Sequence, residues 1–125
     1  MGLLCHYLRV RADMQVLPRP GHEHDVVLDE PGAGAAAGVF RLLSDPTRLS
    51  LVWYLRDGER SVNELASLVD RPAPAVSQHL AKLRLAQLVS TRRAGTTVWY
   101  RLDNDHVGHL VVDALSHAQH AEEPA

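Results

Sequence analysis

Ser61-Val62-Asn63-Glu64-Leu65-Ala66-Ser67-Leu68-Val69, then the turn Asp70-Arg71-Pro72-Ala73, then Pro74-Ala75-Val76-Ser77-Gln78-His79-Leu80-Ala81-Lys82-Leu83-Arg84 is the stretch that decides the fold. Ser61 and Glu64 stand three residues apart ahead of Leu65, Leu68 and Val69. That spacing is a capping box, in which two side chains reciprocally satisfy the exposed N–H groups of a helix start. A short helix is predicted from there. Pro74 can open a longer helix, and its Val76, Leu80 and Leu83 recur at i, i+4 and i+7 as an inward row. The opposite face carries Ser77, Gln78, Lys82 and Arg84. A short helix, a tight turn and a second helix with slender polar and basic residues near its beginning form the helix-turn-helix plan, because such side chains enter the major groove. An ordinary helical hairpin is the alternative, and the segment that follows weighs against it.

Leu88 to Arg93 and Thr97 to Leu102 alternate as strands do, and Ala94-Gly95-Thr96 makes a hairpin turn between them. Arg92 and Arg93 fall near its tip, so the ribbon reads as a wing that contacts phosphate or the minor groove, with Trp99 and Tyr100 bracing it. Upstream, Asp45-Pro46 places an N-cap side chain before a proline at the first helical position. The helix it opens has an apolar face of Leu49, Val52 and Trp53, broadened by Leu51 and Leu55, and stops at Asp57-Gly58. An earlier helix begins around Gly34 and carries Val39, Phe40, Leu42 and Leu43. Downstream, Asp103-Asn104-Asp105 offers caps for a last helix from about Asp105 to Ala121.

The fold class is therefore mostly α with a small β-hairpin, a winged helix-turn-helix in the order α-α-α-α-β-β-α. Residues 1–30 hold Pro18, Pro20 and Gly21 without sustained periodicity and read as a flexible N-terminal arm, in which Met14 offers a second start. Residues 31–121 form the DNA-binding and dimerisation domain, and residues 122–125 a disordered tail.

Composition agrees with one such domain: 125 residues, 46% hydrophobic and 22% charged. No apolar run approaches the roughly 20 residues of a membrane span, and the first residues lack the basic-then-apolar plan of a secretory signal. A cytoplasmic protein with no membrane partner is expected. The single cysteine, Cys5, has no internal disulfide partner, while eight histidines are many for this length. The net charge of −2 conceals a division along the chain. From Arg41 to Arg101, ten Arg or Lys face five Asp or Glu, a net of +5, and the remainder carries −7. A basic middle between acidic ends permits phosphate contact.

Leu42-Leu43-Ser44-Asp45-Pro46-Thr47-Arg48-Leu49, followed by Val76-Ser77-Gln78-His79-Leu80-Ala81-Lys82-Leu83 and the wing, resembles the ArsR/SmtB family of winged-helix transcriptional regulators over about residues 34 to 121. The resemblance implies a homodimer joined through its terminal helices that binds double-stranded operator DNA and loses affinity when an inducer binds. Carried over by position, Ser77, Gln78 and His79 fall on the recognition helix; the outward face of that helix adds Lys82 and Arg84, and the wing adds Arg92 and Arg93, as expected DNA contacts. His79 reads as a DNA or packing residue rather than a metal ligand.

One inducer site common in the family uses cysteines at the start of the helix before the recognition helix. That stretch here is Ser61-Val62-Asn63-Glu64-Leu65-Ala66, which has no thiolate for a soft metal. The other common site lies on the C-terminal helix, and His106, His117 and His120 match its spacing. Its aspartate position is Asn104, flanked by Asp103 and Asp105. At about 100° per residue, His106, His109, Asp113, His117 and His120 share one stripe. Val107, Leu110, Val111, Ala114, Leu115 and Ala118 form an adjoining apolar face suited to another subunit.

His106 and His117 lie 11 residues apart, roughly 16 Å at about 1.5 Å per residue, too far for one ion to bridge within a helix. Two symmetric intersubunit sites follow if two such helices run antiparallel about a two-fold axis, each with His106 and Asp105 from one chain and His117 and His120 from the other. A local set of Asp113, His117 and His120 is the alternative; a solvated polar face is the alternative without metal. Imidazole suits Ni2+, Co2+ and Zn2+ alike. Two histidines with two carboxylate oxygens favour tetrahedral zinc. The third histidine, His109 and the arm's His22 and His24 allow the higher coordination of nickel or cobalt, and the overall pattern looks like the nickel- and cobalt-sensing branch. A regulator that senses no metal and works with a protein partner is a further reading. So are a histidine-rich metal-binding protein and a metal hydrolase. Against the hydrolase, the chain has no HExxH run or glycine-rich phosphate loop, and Ser116 beside His117 lacks an orienting partner.

Overall fold

The computed structural model describes residues 26–122. The sequence readings at Met14, His22, His24 and residues 123–125 lie outside them. The described residues fall into two units, residues 26–32 and residues 33–122. Of the first, residues 26–29 have no regular structure, and the Asp29 side chain accepts the backbone N–H of Gly32 at 2.6 Å. Helix α1, Glu30–Leu43, opens four residues before the start that Gly34 suggests, because Asp29 supplies a cap ahead of it.

The second unit is built from helix starts written in the sequence. In α2, Pro46–Leu55, Asp45 is the N-cap and accepts the backbone N–H of Arg48 at 2.9 Å. In α3, Val62–Val69, both halves of the Ser61–Glu64 capping box are present at 3.2 Å. The helix ends at Asp70 in the left-handed region, φ 53°. Helix α4, Ala73–Leu85, starts one residue before Pro74 and has no side-chain cap. Val76, Leu80 and Leu83 are its buried row, as their spacing predicts. Helices α3 and α4 are the two limbs of the helix-turn-helix.

A sheet of three antiparallel strands, in the order β1-β3-β2, follows where two strands are predicted. Strands β2, Val89–Ala94, and β3, Thr97–Leu102, form the wing, paired from Val89↔Leu102 to Ala94↔Thr97. At its turn Gly95 alone takes a positive φ, 62°, the geometry of a two-residue II′ turn. The extra strand β1, Arg60–Ser61, pairs Arg60 with Tyr100 and Ser61 with Trp99. Two residues carry no alternation to detect, and their partner lies some 40 positions away. The Arg60 guanidinium also holds the Tyr54 carbonyl at 3.0 Å, tying β1 to the end of α2.

Just ahead of helix α5, His106–Glu122, Asn104 Oδ1 accepts the backbone N–H of His106 at 2.9 Å. The buried core gathers Leu43, Leu51, Val52, Leu55, Leu65, Val76, Leu80, Leu83, Val89, Val107 and Val111. Two expectations change here. In α2 the inward row is Leu51, Val52 and Leu55, and Trp53 stays 37% exposed under the Arg56 guanidinium, 4.2 Å from its ring centre. The apolar face of α5 is divided: Val107 and Val111 are spent on the chain's own core, and the rest lies further along, with Leu110 and Leu115 half-buried and Ala114 and Ala118 exposed. Gly108 lets α5 approach, since a Cβ there would meet Arg56 Cγ at 3.2 Å and Leu102 Cδ1 at 3.3 Å.

Candidate functional site

The outward face of α4 presents Ser77, Gln78, Lys82 and Arg84 to solvent, with His79 half-buried among them. A shallow cavity of about 460 Å³ between α4 and the sheet is lined by Ser77, Arg84, Gln87 and Tyr100. Ala81 and Leu85 complete its lining, so the helix and the wing flank one hollow of mixed polar and apolar character. In the wing, Arg92 and Arg93 are both exposed but not equivalent. Arg92 Nε donates to Glu59 Oε2 at 2.6 Å and its guanidinium lies 5.9 Å from the Trp99 ring centre. Arg93 makes no salt bridge among the described residues. One wing arginine is therefore paired with a carboxylate and the other is not, among the described residues.

Behind α4, three side chains from two parts of the chain meet. Arg48 Nε donates to the Leu42 carbonyl at 2.6 Å, and Arg48 Nη1 lies 3.2 Å from His79 Nδ1. Asp45 Oδ2 is 4.0 Å from the same Nδ1. The backbone N–H of Arg48, with the Arg48 guanidinium close by, holds the Asp45 carboxyl below its ordinary pKa, against the opposing pull of partial burial. The motif at the start of α2 and the motif on α4 are in this way one physical corner.

On α5, His106, His109, Asp113, His117 and His120 are all exposed, as are Asp103, Asn104 and Asp105 before it. No three His, Cys, Asp or Glu side chains among the described residues gather closely enough in one protomer to hold an ion, and that includes Asp113, His117 and His120. Asn104 Oδ1 is engaged by the His106 backbone N–H, and the carboxylates beside His106 are those of Asp103 and Asp105. Asp105 and His109 border a small cavity of about 170 Å³ with Arg56, Leu102 and Gly108. The donor chemistry, exposed imidazoles with adjacent carboxylates, suits a borderline divalent ion once a second helix completes the set. Between α2 and α5, Leu49, Trp53, Tyr54, Val112 and Leu115 line an apolar groove of about 380 Å³.

Residues 43–92 match the family profile described as a helix-turn-helix domain. The chain is 63% identical over 83 residues to the HTH-type transcriptional regulator KmtR of Mycobacterium tuberculosis, covering 66% of this chain and 64% of that one. It is 36% identical over 93 residues to the HTH-type transcriptional regulator NmtR of the same organism, covering 74% of this chain and 78% of NmtR. A solved homodimeric winged helix-turn-helix DNA-binding domain from Mycobacterium bovis, described as a possible ArsR-family transcriptional regulator, superposes with a TM-score of 0.66 at 27% identity, covering 80% of this chain and 94% of that one. The chain belongs to the ArsR/SmtB family. Membership in this family of DNA-binding regulators, rather than anything missing from the fold, is what sets it apart from enzymes.

Within this ArsR/SmtB chain, two participants are not named by sequence reasoning as site residues. Arg48 appears there only as part of a motif, although its guanidinium lies 3.2 Å from His79 on α4. Glu59, which neutralises Arg92, has no sequence signal, because its partner lies 33 residues away across the sheet. No helix among the described residues is long and apolar enough to cross a membrane.

Proposed function

We propose that the chain is a metal-responsive transcriptional repressor of the nickel- or cobalt-sensing kind, working in the cytoplasm as a homodimer joined through α1 and α5, with residues 31–121 as the DNA-binding and dimerisation domain. The observation that carries it is the exposed row of His106, His117 and His120 on α5, a helix packed through Val107 and Val111 into the same core that seats α4. In a two-fold dimer the two α4 helices enter successive major grooves about 34 Å apart, with Ser77, Gln78 and His79 at base edges. Lys82, Arg84, Arg92 and Arg93 meet phosphates, and each phosphate neutralised releases counterions.

His106 with Asp105 or Asp103 at one end of α5, and His117 with His120 at the other, are the residues that would hold the ion between subunits, with His109, Asp113, His22 and His24 in reserve. When bound, a divalent ion would supply a cross-link between the two α5 helices. Three imidazoles with carboxylate oxygens favour Ni2+, with Co2+ and Zn2+ next. A coupling of roughly 1 to 3 kcal/mol between the two ligands is enough for a useful switch, and by reciprocity operator DNA weakens metal binding by the same factor.

A mobility-shift titration on the region upstream of the protein's own gene, with no metal and with Ni2+, Co2+ or Zn2+, tests this. A shift in the apo protein that weakens with Ni2+ supports it; equal affinity of the apo and nickel-loaded protein overturns it.

A further inference from the structure

Among the side chains on the outward part of α4, His79 is held differently from its neighbours. Ser77, Gln78, Lys82 and Arg84 are exposed, whereas the His79 side chain is 24% exposed and its Nδ1 faces inward, 3.2 Å from Arg48 Nη1. Arg48 is itself anchored, since its Nε donates to the Leu42 carbonyl at the end of α1. A guanidinium has five N–H donors and no acceptor, so a nitrogen that pairs with it must offer a lone pair. Nδ1 is therefore the bare nitrogen, and the proton of the neutral ring sits on Nε2. Nε2 makes no hydrogen bond among the described residues, and no side-chain N or O among them is both buried and unpartnered, so this N–H faces solvent.

We infer that Arg48 is a positioning residue that fixes His79 in its Nε2–H tautomer and so presents, from the recognition helix, a neutral donor to an acceptor atom of operator DNA. This rests on the DNA-binding role proposed for α4. Two groups face Nδ1, the Arg48 guanidinium and the Asp45 carboxylate, and the guanidinium is the nearer. The carboxylate would favour a proton on Nδ1; the guanidinium excludes it. A neutral donor also differs in kind from Lys82 and Arg84, because it adds affinity without releasing a counterion.

Long-range 1H–15N spectra of the full-length protein labelled with 15N-histidine read the tautomer without DNA, the His79 signals being identified by their loss in His79→Gln. Bare Nδ1 and protonated Nε2 are expected in the wild type, and a mixture of tautomers in Arg48→Met. A protonated Nδ1 in the wild type overturns the inference whatever the DNA does. Affinity for a duplex of the protein's own upstream region is then followed across salt concentrations. His79→Asn keeps an acceptor for Arg48 and loses the outward donor. It is expected to bind about five- to tenfold more weakly, the worth of one hydrogen bond, with an unchanged salt slope.

Wild-type affinity in His79→Asn overturns the inference, and so does a slope shallower by about 0.9, which marks a cationic side chain. A deficit confined to one base pair of the duplex identifies a base-edge acceptor, and a uniform deficit identifies phosphate; either supports the donor. Should Arg48→Met fail to fold, the wild-type tautomer and His79→Asn still decide. A wild-type protein with the expected tautomer that binds no duplex overturns the DNA-binding proposal instead.

Discussion

Asp45 does two things with one carboxylate. It caps α2 through the Arg48 backbone N–H, and it adds negative charge beside the Arg48 and His79 side chains. Replacing it by Ala removes the cap and is expected to cost about 1 kcal/mol at neutral pH. Asn is as good an N-cap, so Asp45→Asn isolates the charge and costs less. Because the folded state holds this carboxyl below its ordinary value of 3.8, the charge stabilises fully above that value and the contribution is lost as pH falls through the folded pKa. Urea unfolding at neutral and at strongly acid pH checks this: the gap between wild type and Asp45→Asn narrows in acid. A gap that widened would mean that the carboxylate is a burden in the folded state.

The wing works as an element because its two arginines are differently tethered. Arg93 has no ion-pair partner among the described residues, so Arg93→Ala is expected to flatten the slope of log affinity against log salt by about 0.9, one phosphate contact. Arg92 is partly neutralised by Glu59. Glu59→Gln frees it and removes a negative charge from the DNA side, and DNA affinity at low salt is expected to rise. A fall instead would show that Glu59 serves to aim the wing.

What was legible in the sequence and what was not divides along the same line. The Asp45 cap and the Ser61–Glu64 box were legible because both are closed by residues three apart. The helix-turn-helix followed from the Val76, Leu80, Leu83 row, which local periodicity fixes. Strand β1 and the Glu59–Arg92 pair were not, because each depends on a neighbour far along the chain.

At the scale of the whole molecule, the histidine row on α5 was legible as a stripe, but the use of the adjoining apolar face was not. Val107 and Val111 lie in the chain's own core, and that assignment requires the rest of the fold. What remains for the second subunit proposed above is the later part of α5, where Leu115 lines the groove beside Trp53. That leaves His106 and His117 at opposite ends of a helix in one protomer, roughly 16 Å apart at about 1.5 Å per residue. Sites shared across a two-fold axis predict complementation. His106→Ala and His117→Ala homodimers each lose one ligand from both sites and are expected to lose tight nickel binding. In a mixed dimer both lesions fall in one site, and the other pairs an intact His106 with an intact His117 and His120. Co-refolded mixtures should therefore regain tight binding, at one ion per mixed dimer, as titration calorimetry on the purified heterodimer can measure. A site built within one protomer from Asp113, His117 and His120 predicts otherwise: His106→Ala would bind as wild type does, and mixing would restore nothing.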